Sequence, residues 1–408
     1  MDELTAKRLT VSLFVLTLIV ALPQLSETIY APSLPQLAID FATSESLSEY
    51  TLTIYLIGFA LGVLVWGTIS DRYGRKPCLV AGFSVYILAC IGCYLTRSIH
   101  MLLFTRLIQA FGASVGSVLG QAVARDAIRP EDRGRVFSTI SMAMAFAPGI
   151  GPVIGGLTTQ FFHWNRVFLV LVMLGLFTTL AIVFRLPETH PAIDRNVNGI
   201  AIYRKCLSAM VRNPVTLGYA FMVGAVNGII FGYYAEAPFF FINGLSLPAA
   251  SFGLMAFFIC LPLALGGWIS RRLHEKKLAG RRIIQWGIGL MLFGSLAFLL
   301  GTRFAWISPV ASRLAVAQSL LWVTVVMTGI TMVIPNCLSQ ALEPYGRFAG
   351  TAASLFGFGY YLVIAAFTGM MGHMHDGTLL QLPLFIFLVS ALMLLVFRLT
   401  LSRRGQHA

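Results

Sequence analysis

The stretch GTISDRYGRKP, Gly67 to Pro77, separates two long runs without a charged residue, 50–70 and 77–96. Each run is long enough to cross a bilayer as a helix. Cutting the chain at every Asp, Glu, Lys and Arg leaves twelve such windows of at least 18 residues. Because hydrocarbon offers no partner for backbone N–H and C=O groups, windows of this kind must be helical. The windows begin at Leu9, Tyr50, Pro77, Leu107, Val136, Val167, Asn213, Ala237, Ile283, Leu314, Phe348 and Gly377.

Composition points to the same class of protein. Of the 408 residues, 57% are hydrophobic and only 11% are charged, which excludes an ordinary water-soluble domain. We therefore predict an all-α polytopic membrane protein with twelve transmembrane helices.

The charge distribution predicts the topology. A net charge of +13 would suggest nucleic-acid binding in a soluble protein, but in a membrane protein the placement of Lys and Arg matters more. With the N-terminus in the cytoplasm, 24 of the 29 basic residues fall on the cytoplasmic side. The positive-inside rule then places both termini in the cytoplasm, with membrane lipids and not nucleic acid as the partner of these charges. The other five are Arg97, Arg106, Arg166, Arg303 and Arg313.

The longest stretch without a spanning window, 186–214, divides the windows into two sets of six. GTISDR at 67–72 recurs as GWISRR at 267–272, and TRL at 105–107 recurs as SRL at 312–314, at matching positions of the two sets. We predict an N-terminal six-helix bundle (1–188), a cytoplasmic linker (189–212) and a C-terminal six-helix bundle (213–408), with halves that rock about a midplane site. Residues 200–210 of the linker form either an amphipathic helix on the membrane surface or a solvated tether.

The residue types in the loop at Gly67 to Pro77 indicate what each could do at a helix–helix turn. Gly67 and Gly74 allow a tight turn, and Asp71 can cap a helix N-terminus or hold an arginine. Arg72 and Arg75 can anchor at phospholipid headgroups. An ordinary basic turn is the plainer interpretation.

Four motifs give this chain a family resemblance. The loop resembles the signature loop of the major facilitator superfamily, and Arg106-Leu-Ile-Gln109 resembles its intramembrane arginine motif. The run APGIGPVIGG, 147–156, is similar to the motif of drug/proton antiporters, and GTAAS at 350–354 is similar to the Bcr/CflA-type multidrug efflux branch. The resemblance implies the major facilitator fold and a gating role for the loop. The residues it places in the antiporter motif are Pro148, Gly151, Pro152, Gly155 and Gly156.

Proline and glycine give the run at 147–156 its shape. Prolines interrupt backbone hydrogen bonds and glycines remove side chains, so the predicted helix is kinked and smooth. Such a helix suits a tight seam against the other half; an ordinary small-residue packing face is the alternative.

A charged residue inside a predicted span indicates a structural or functional role, because placing it at the bilayer centre costs about 3 kcal/mol. Glu27, Arg106 and Glu236 are the candidates for proton coupling, with Glu27 or Glu236 as the carboxylate that takes the proton. A permanent Glu–Arg pair that only orients helices is the structural alternative. The branch that this chain resembles commonly has its first-helix acid one position later, at the place of Thr28, so Glu236 is a rival to Glu27.

Polar and aromatic residues at membrane depth predict an amphipathic substrate cavity, because their hydroxyl and amide groups need partners. The sequence HMH at 373–375 offers only two possible ligands within one turn, so we expect a solvated loop and no metal site there. The predicted cavity residues are Tyr30, Tyr55, Gln109, Asn227, Tyr233, Tyr234, Asn336 and Tyr360.

Together these features predict a proton-coupled secondary antiporter of the bacterial inner membrane that exports drugs or other amphipathic small molecules by alternating access. No phosphate-binding GxxxxGK[ST] motif and no grouped nucleophile and base are present in the sequence, which disfavours an ATP-driven pump and an enzyme. We expect a monomer without a cofactor, driven by the proton gradient. An exporter or importer of an endogenous metabolite such as a siderophore is the first alternative, and a non-transporting sensor or assembly partner is the second.

Overall fold

The computed structural model describes residues 12–128, 130–189, 199–304 and 313–401, and in these ranges the chain is helical throughout, apart from turns. Lys7, Arg8, Arg129, Arg195, Arg403 and Arg404, which contribute to the topology prediction, lie outside the described residues. The helices are α1 Leu13–Thr28, α2 Leu34–Asp40, α3 Glu45–Tyr73, α4 Arg75–Leu95, α5 Ile99–Ala127, α6 Pro130–Phe161, α7 Arg166–Arg185, α8 Gly199–Val211, α9 Pro214–Pro238, α10 Ala249–Phe258, α11 Cys260–Glu275, α12 Gly280–Arg303, α13 Arg313–Ala341, α14 Ala349–Met374 and α15 Gln381–Val396.

Eleven helical segments among the described residues are long and apolar enough to cross a membrane. Every predicted window except the one that begins at Val136 overlaps one of them. That window coincides with α6, a 32-residue helix that is not among the eleven. The all-α polytopic class is therefore confirmed, while the twelfth span and the cytoplasmic termini stay predictions.

Helix ends follow local sequence signals. Ser44 caps α3 by accepting a hydrogen bond from the Leu47 amide at 3.1 Å, and Asn213 caps α9 ahead of a proline at the first helical position. Between α3 and α4 the chain turns at Gly74, whose φ of +97° is available to glycine at little cost. We call the end of the bundle at this turn the basic end, because Arg72, Arg75 and Lys76 lie there; the other end is the opposite end.

Buried apolar side chains form two large clusters that follow the two halves of the sequence. One consists of residues between 15 and 186, with Ala235 and Phe239 added, and the other of residues between 206 and 401, with Ala31 added. The helix predicted over 200–210 is present as α8, and its Cys206 and Met210 are buried against the second cluster. A packed helix therefore replaces the solvated-tether alternative.

The glycines of α6 bring three backbones into contact. A Cβ atom on Gly155 would overlap the carbonyl oxygen of Ile29, and one on Gly156 would overlap that of Ala249 in α10. On the facing helix, a Cβ atom on Gly253 of α10 would overlap the carbonyl oxygen of Pro152 in α6. The α6–α10 seam is therefore a contact between the two halves that leaves no room for side chains.

Adding a methyl group to this seam tests its tightness. We expect Gly155→Ala and Gly156→Ala each to destabilise the purified protein by about 1–3 kcal/mol, because the new Cβ must displace backbone. Thermal unfolding in detergent measures the effect. Gly289→Ala on α12 is the matched control, because nothing lies within 4 Å of a Cβ there. An unchanged melting temperature for both seam variants would contradict this packing.

Candidate functional site

A cavity of about 590 Å³ lies between the two halves. It runs from the basic end, where Asp71, Arg75 and Tyr203 line it, to Gln24 and Tyr360 in the middle of the bundle. We call it the central cavity. Its wall combines aromatic, hydroxyl and amide side chains with a few charges, a lining suited to an amphipathic small molecule. Other lining residues include Phe59, Val63, Gly67, Ser117, Gln121, Arg125, Thr351, Ser354 and Tyr361.

An aromatic layer closes the central cavity at its inner end. Phe59 of the first half stacks on Tyr361 of the second, with ring centroids 4.7 Å apart, and Tyr361 stacks on Tyr360 at 4.9 Å. Tyr55 and Ile364 are buried in the same cluster. The two halves therefore touch at mid-depth, and α3 and α14 stay close together toward the basic end, where a Cβ on Gly67 would lie 3.2 Å from Ser354 Oγ.

Arg106 on α5 is completely buried, with 0% of its surface exposed. Its guanidinium carbon lies 4.2 Å from the centre of the Tyr55 ring and 4.7 Å from that of Tyr30, and its Nη1 donates to Gln109 Oε1 at 2.7 Å. Nε and Nη2 have no hydrogen-bond partner among the described residues. Ring faces and one amide thus hold this cation, and a carboxylate does not.

Glu27, near the end of α1, is 2% exposed. Its carboxylate interacts electrostatically with Arg106, but no ion pair within 4.0 Å joins the two in the described part of the chain. Oε1 has no hydrogen-bond partner there either. The same carboxylate interacts electrostatically with Tyr360 and Tyr361, so it lies near the inner end of the central cavity, behind the residues that line it. The structure does not show the permanent Glu27–Arg106 pair that the sequence left open.

The loop at the basic end is organised around Arg75. The guanidinium donates to Asp71 at 2.7 Å, to Ser70 at 2.5 Å and to Asp126 at 3.2 Å, which ties the end of α3 to the end of α5. Asp71 therefore takes the arginine-holding role of the two that the sequence allowed. All four residues belong to the first half, so this network braces one half of the bundle.

Glu188 caps α4. Its carboxylate accepts hydrogen bonds from the backbone amides of Arg75 at 2.9 Å and Lys76 at 3.1 Å, at the positive end of the helix dipole. A Cβ on Gly74 would lie 2.6 Å from Glu188 Oε2, so the glycine also makes room for the cap.

At the opposite end, the structure collects three carboxylates around one imidazole. His375 Nδ1 lies 2.8 Å from Glu236 Oε2 and 3.3 Å from Glu49 Oε1, and Nε2 lies 2.7 Å from Glu45 Oε2. The His375 side chain is only 7% exposed, so the prediction of a solvated loop at this residue was wrong. Glu45 and Glu49 belong to the first half, and Glu236 and His375 to the second. The four residues, which we call the outer cluster, therefore join the two halves.

Burial on its own would lower the pKa of His375, but the hydrogen bonds and charges of Glu236 and Glu45 outweigh it and raise this pKa above 6.5. The imidazolium form, with a proton on both ring nitrogens, suits acceptors on both sides.

The predicted cavity residues occupy several places. Among the eight, Tyr360 lines the central cavity, and Tyr30, Tyr55 and Gln109 surround Arg106. The remaining four lie in the second half. Tyr233 is buried in its core, Tyr234 donates to the Pro148 carbonyl at 3.2 Å, Asn227 donates to Val223 at 2.8 Å, and Asn336 donates to Ser270 at 3.1 Å.

Sequence reasoning missed Glu45, Glu49 and the part played by His375. Glu45 and Glu49 stand just before the window that begins at Tyr50, and a window defined by the absence of charge excludes both of them. In the structure α3 begins at Glu45, which places both residues on a membrane-spanning segment. The signal that could have found them was Ser44, a helix-capping residue ahead of them.

Two packed helical halves around a central cavity define a membrane transporter, and comparison with known proteins gives its family. The profile of the Major Facilitator Superfamily matches residues 16–368, so the chain belongs to this superfamily. Relatives include an uncharacterized transporter of Rickettsia felis, 35% identical over 90% of each chain. The bicyclomycin resistance protein homolog of Haemophilus influenzae is 28% identical over 85% of each chain. Multidrug resistance protein D of Escherichia coli is 27% identical over 97% of each chain. These relatives place the chain in the Bcr/CflA-type drug efflux branch.

Among solved structures, a D-xylose-proton symporter has a similar fold. It superposes with a TM-score of 0.75 over 93% of this chain and 96% of its own, at 15% sequence identity. At that identity the likeness shows the shared fold alone.

Removing the acceptor of Arg106 tests how the cation is held. We expect Gln109→Leu to destabilise the protein by about 1–3 kcal/mol, because it leaves a buried guanidinium without a hydrogen bond to a side chain. Gln121→Leu on the same helix is the control, because Gln121 is exposed in the central cavity. Thermal unfolding of both variants in detergent gives the comparison, and equal melting temperatures would show that the aromatic faces suffice.

Proposed function

We propose that this transporter is a proton-coupled antiporter that exports amphipathic drugs from the cytoplasm across the bacterial inner membrane. The observation that carries the proposal is Glu27, a buried carboxylate without an ion-pair partner among the described residues, at the inner end of the central cavity. A carboxylate at this depth needs either a positive ligand or a proton. Substrate and proton can therefore compete for one group.

The side that faces the cytoplasm follows from the charges. Arg72, Arg75 and Lys76 lie at the basic end, and basic residues favour the cytoplasmic face. The central cavity then opens toward the cytoplasm, and the aromatic layer and the outer cluster close the other side. An exporter in this conformation is ready to receive its substrate.

The substrate class follows from the lining. Stacked rings at Phe59, Tyr360 and Tyr361 offer apolar faces, and Glu27 offers a negative charge behind them. Flat lipophilic cations satisfy both, through stacking and charge pairing. The printed names of two relatives, a bicyclomycin resistance protein homolog and a multidrug resistance protein, support drugs as the cargo.

Coupling uses the pair of buried charges. When substrate leaves on the outer side, Glu27 takes a proton there, so that its negative charge does not return uncompensated through the membrane. Arg106 lies near enough to favour release of that proton once Glu27 faces the cytoplasm again. Tyr30, Tyr55 and Gln109 keep Arg106 in place throughout.

The loop and the α6 seam act as the moving contacts of the cycle. The Arg75 network with Asp71 stiffens the basic end of the first half, where Gly67 lies directly beside Ser354 of α14 and leaves room for the two helices to shift against each other. The glycines of α6 leave a smooth surface along α10, on which the halves can rotate without leaking.

A flux assay tests the role of Glu27. In proteoliposomes with an imposed pH gradient, we expect ethidium, tetraphenylphosphonium or bicyclomycin to drive proton movement through the wild type. Glu27→Gln should abolish that movement, because a carboxamide cannot exchange a proton. A pH-sensitive dye in the lumen provides the readout.

Two comparisons make the assay decisive. Glu275→Gln, an exposed glutamate of α11 paired with Arg271 and Arg272, should keep wild-type flux. Glu236→Gln tests the rival carboxylate: loss of coupling in this variant with full coupling in Glu27→Gln would transfer the role to Glu236. Undiminished coupling in both variants, or no proton movement with any of the three compounds, would overturn the proposal.

A further inference from the structure

Three potential metal ligands meet in the outer cluster, and they come from both halves of the bundle. Glu49 lies on α3, Glu236 on α9, and His375 directly after α14. Their ligand atoms all lie within 4.8 Å of one another. We propose that Glu49, Glu236 and His375 bind a divalent transition-metal ion, and that the bound ion holds the opposite end of the two halves together.

Glu49 is the side chain that most requires a cation. Its side chain is 0% exposed, and neither carboxylate oxygen accepts a hydrogen bond among the described residues. The Nδ1 atom of His375 lies 3.3 Å from Glu49 Oε1, but it lies closer, at 2.8 Å, to Glu236. One imidazole is thus shared among Glu45, Glu49 and Glu236, which leaves Glu49 without a close partner of its own in a largely buried place.

A divalent ion balances the charge. Counting the three ligands alone, with Glu49 and Glu236 ionised and His375 neutral, two negative charges face two positive ones; Glu45, which is 36% exposed, is not a ligand and is not counted. Binding requires the Nδ1 proton of the imidazolium to leave for solvent, as is usual when a metal replaces a proton at a histidine. The histidine then offers the Nδ1 lone pair to the metal.

Glu45 supplies the support that a metal-bound histidine needs. Its Oε2 lies 2.7 Å from His375 Nε2, and its Oε1 accepts a hydrogen bond from Asn243 at 2.7 Å. Histidine ligands in metal sites commonly donate their second N–H to a carboxylate in this manner, which fixes the tautomer and the ring orientation. This partner is already in position, so the ring need not reorient to leave Nδ1 for the metal.

The donor set selects the kind of metal. One imidazole nitrogen and two carboxylate oxygens suit Zn²⁺ and its neighbours in the first transition row, whereas Ca²⁺ and Mg²⁺ prefer oxygen donors alone. Tetrahedral zinc places its ligand atoms about 3.4 Å apart. His375 Nδ1 already lies 3.3 Å from Glu49 and would move slightly away from Glu236, now at 2.8 Å, and no two of the ligand atoms are more than 4.8 Å apart. The fourth position is left for water.

An ion at this place links α3 to the ends of α9 and α14. Ser46 of α3 already donates to the Gly372 carbonyl at 2.5 Å beside it, so the metal reinforces an existing contact between the halves. The opposite end cannot open while the ion is bound. Zinc on that side should therefore inhibit transport, a consequence that rests on the proposed function, whereas binding itself does not.

Zinc binding to the purified full-length protein tests the site directly. After removal of any affinity tag, isothermal titration with Zn²⁺ should show one saturable site in the wild type. Glu49→Gln and His375→Gln should each weaken it by at least about tenfold, and Glu45→Gln by about 10- to 100-fold, in line with the loss of a ligand or of its carboxylate support. Co²⁺ should give the visible absorption of a low-symmetry nitrogen and oxygen site.

His373→Gln is the matched control, because it removes an exposed histidine from the same segment. It should bind Zn²⁺ as the wild type does. Glu236→Gln removes the third ligand. Thermal melts of every variant in EDTA separate loss of the site from loss of folding, because a folded variant keeps the melting temperature of the metal-free wild type. The proposal is wrong if the wild type binds no Zn²⁺, or if binding depends on His373 and survives Glu49→Gln and His375→Gln. If Zn²⁺ binds but leaves transport flux unchanged, the site itself stands, and only the inference that the bound ion holds the two halves together is refuted.

Discussion

The cost of placing an ionised side chain in hydrocarbon governs this structure. The ionisable side chains in and beside the membrane-spanning helices differ in how far their surroundings offset this cost. Arg106 lies between two tyrosine rings and an amide, His375 serves the carboxylates of the outer cluster, and Glu27 has no such partner within the described chain. That difference separates a fixed charge, a contact between the halves and a group free to exchange ligands.

The position of the contacts explains how a cavity can exist in such an apolar bundle. Glycine on α6 and α10 allows backbones to touch, and Phe59 and Tyr361 stack across the halves at mid-depth. The rings of Phe59 and Tyr361 can separate without breaking a hydrogen bond, whereas α6 is also joined to the second half by hydrogen bonds from Tyr234 to the Pro148 carbonyl and from the Ala250 amide to Gln160. Polar contacts across the halves concentrate at the opposite end, where Glu45 meets Asn243 and His375. The two ends therefore differ in what must break for the cavity to change sides.

The sequence predicted much of the fold because the bilayer imposes length and hydropathy on each helix. It located eleven of the spans and the glycine-rich α6, it offered a helix as one of two alternatives for the segment that forms α8, and it singled out Glu27 and Arg106. It could not predict the outer cluster, because Glu45 and His375 are 330 positions apart and no local periodicity relates them. It also could not foresee that Gln109, with Tyr30 and Tyr55, would surround Arg106, because that depends on how α1, α3 and α5 pack.

Competition between substrate and proton at Glu27 is the central step of the proposed cycle, and proton release on substrate binding measures that competition most directly. Purified protein in weak buffer is titrated with whichever of the three compounds drives the largest proton flux, and a soluble pH dye records protons. The wild type should release protons in step with substrate binding. Glu27→Gln should release no protons, whether or not it still binds the compound. Binding without proton release by the wild type, or equal release by both proteins, would contradict the proposed cycle.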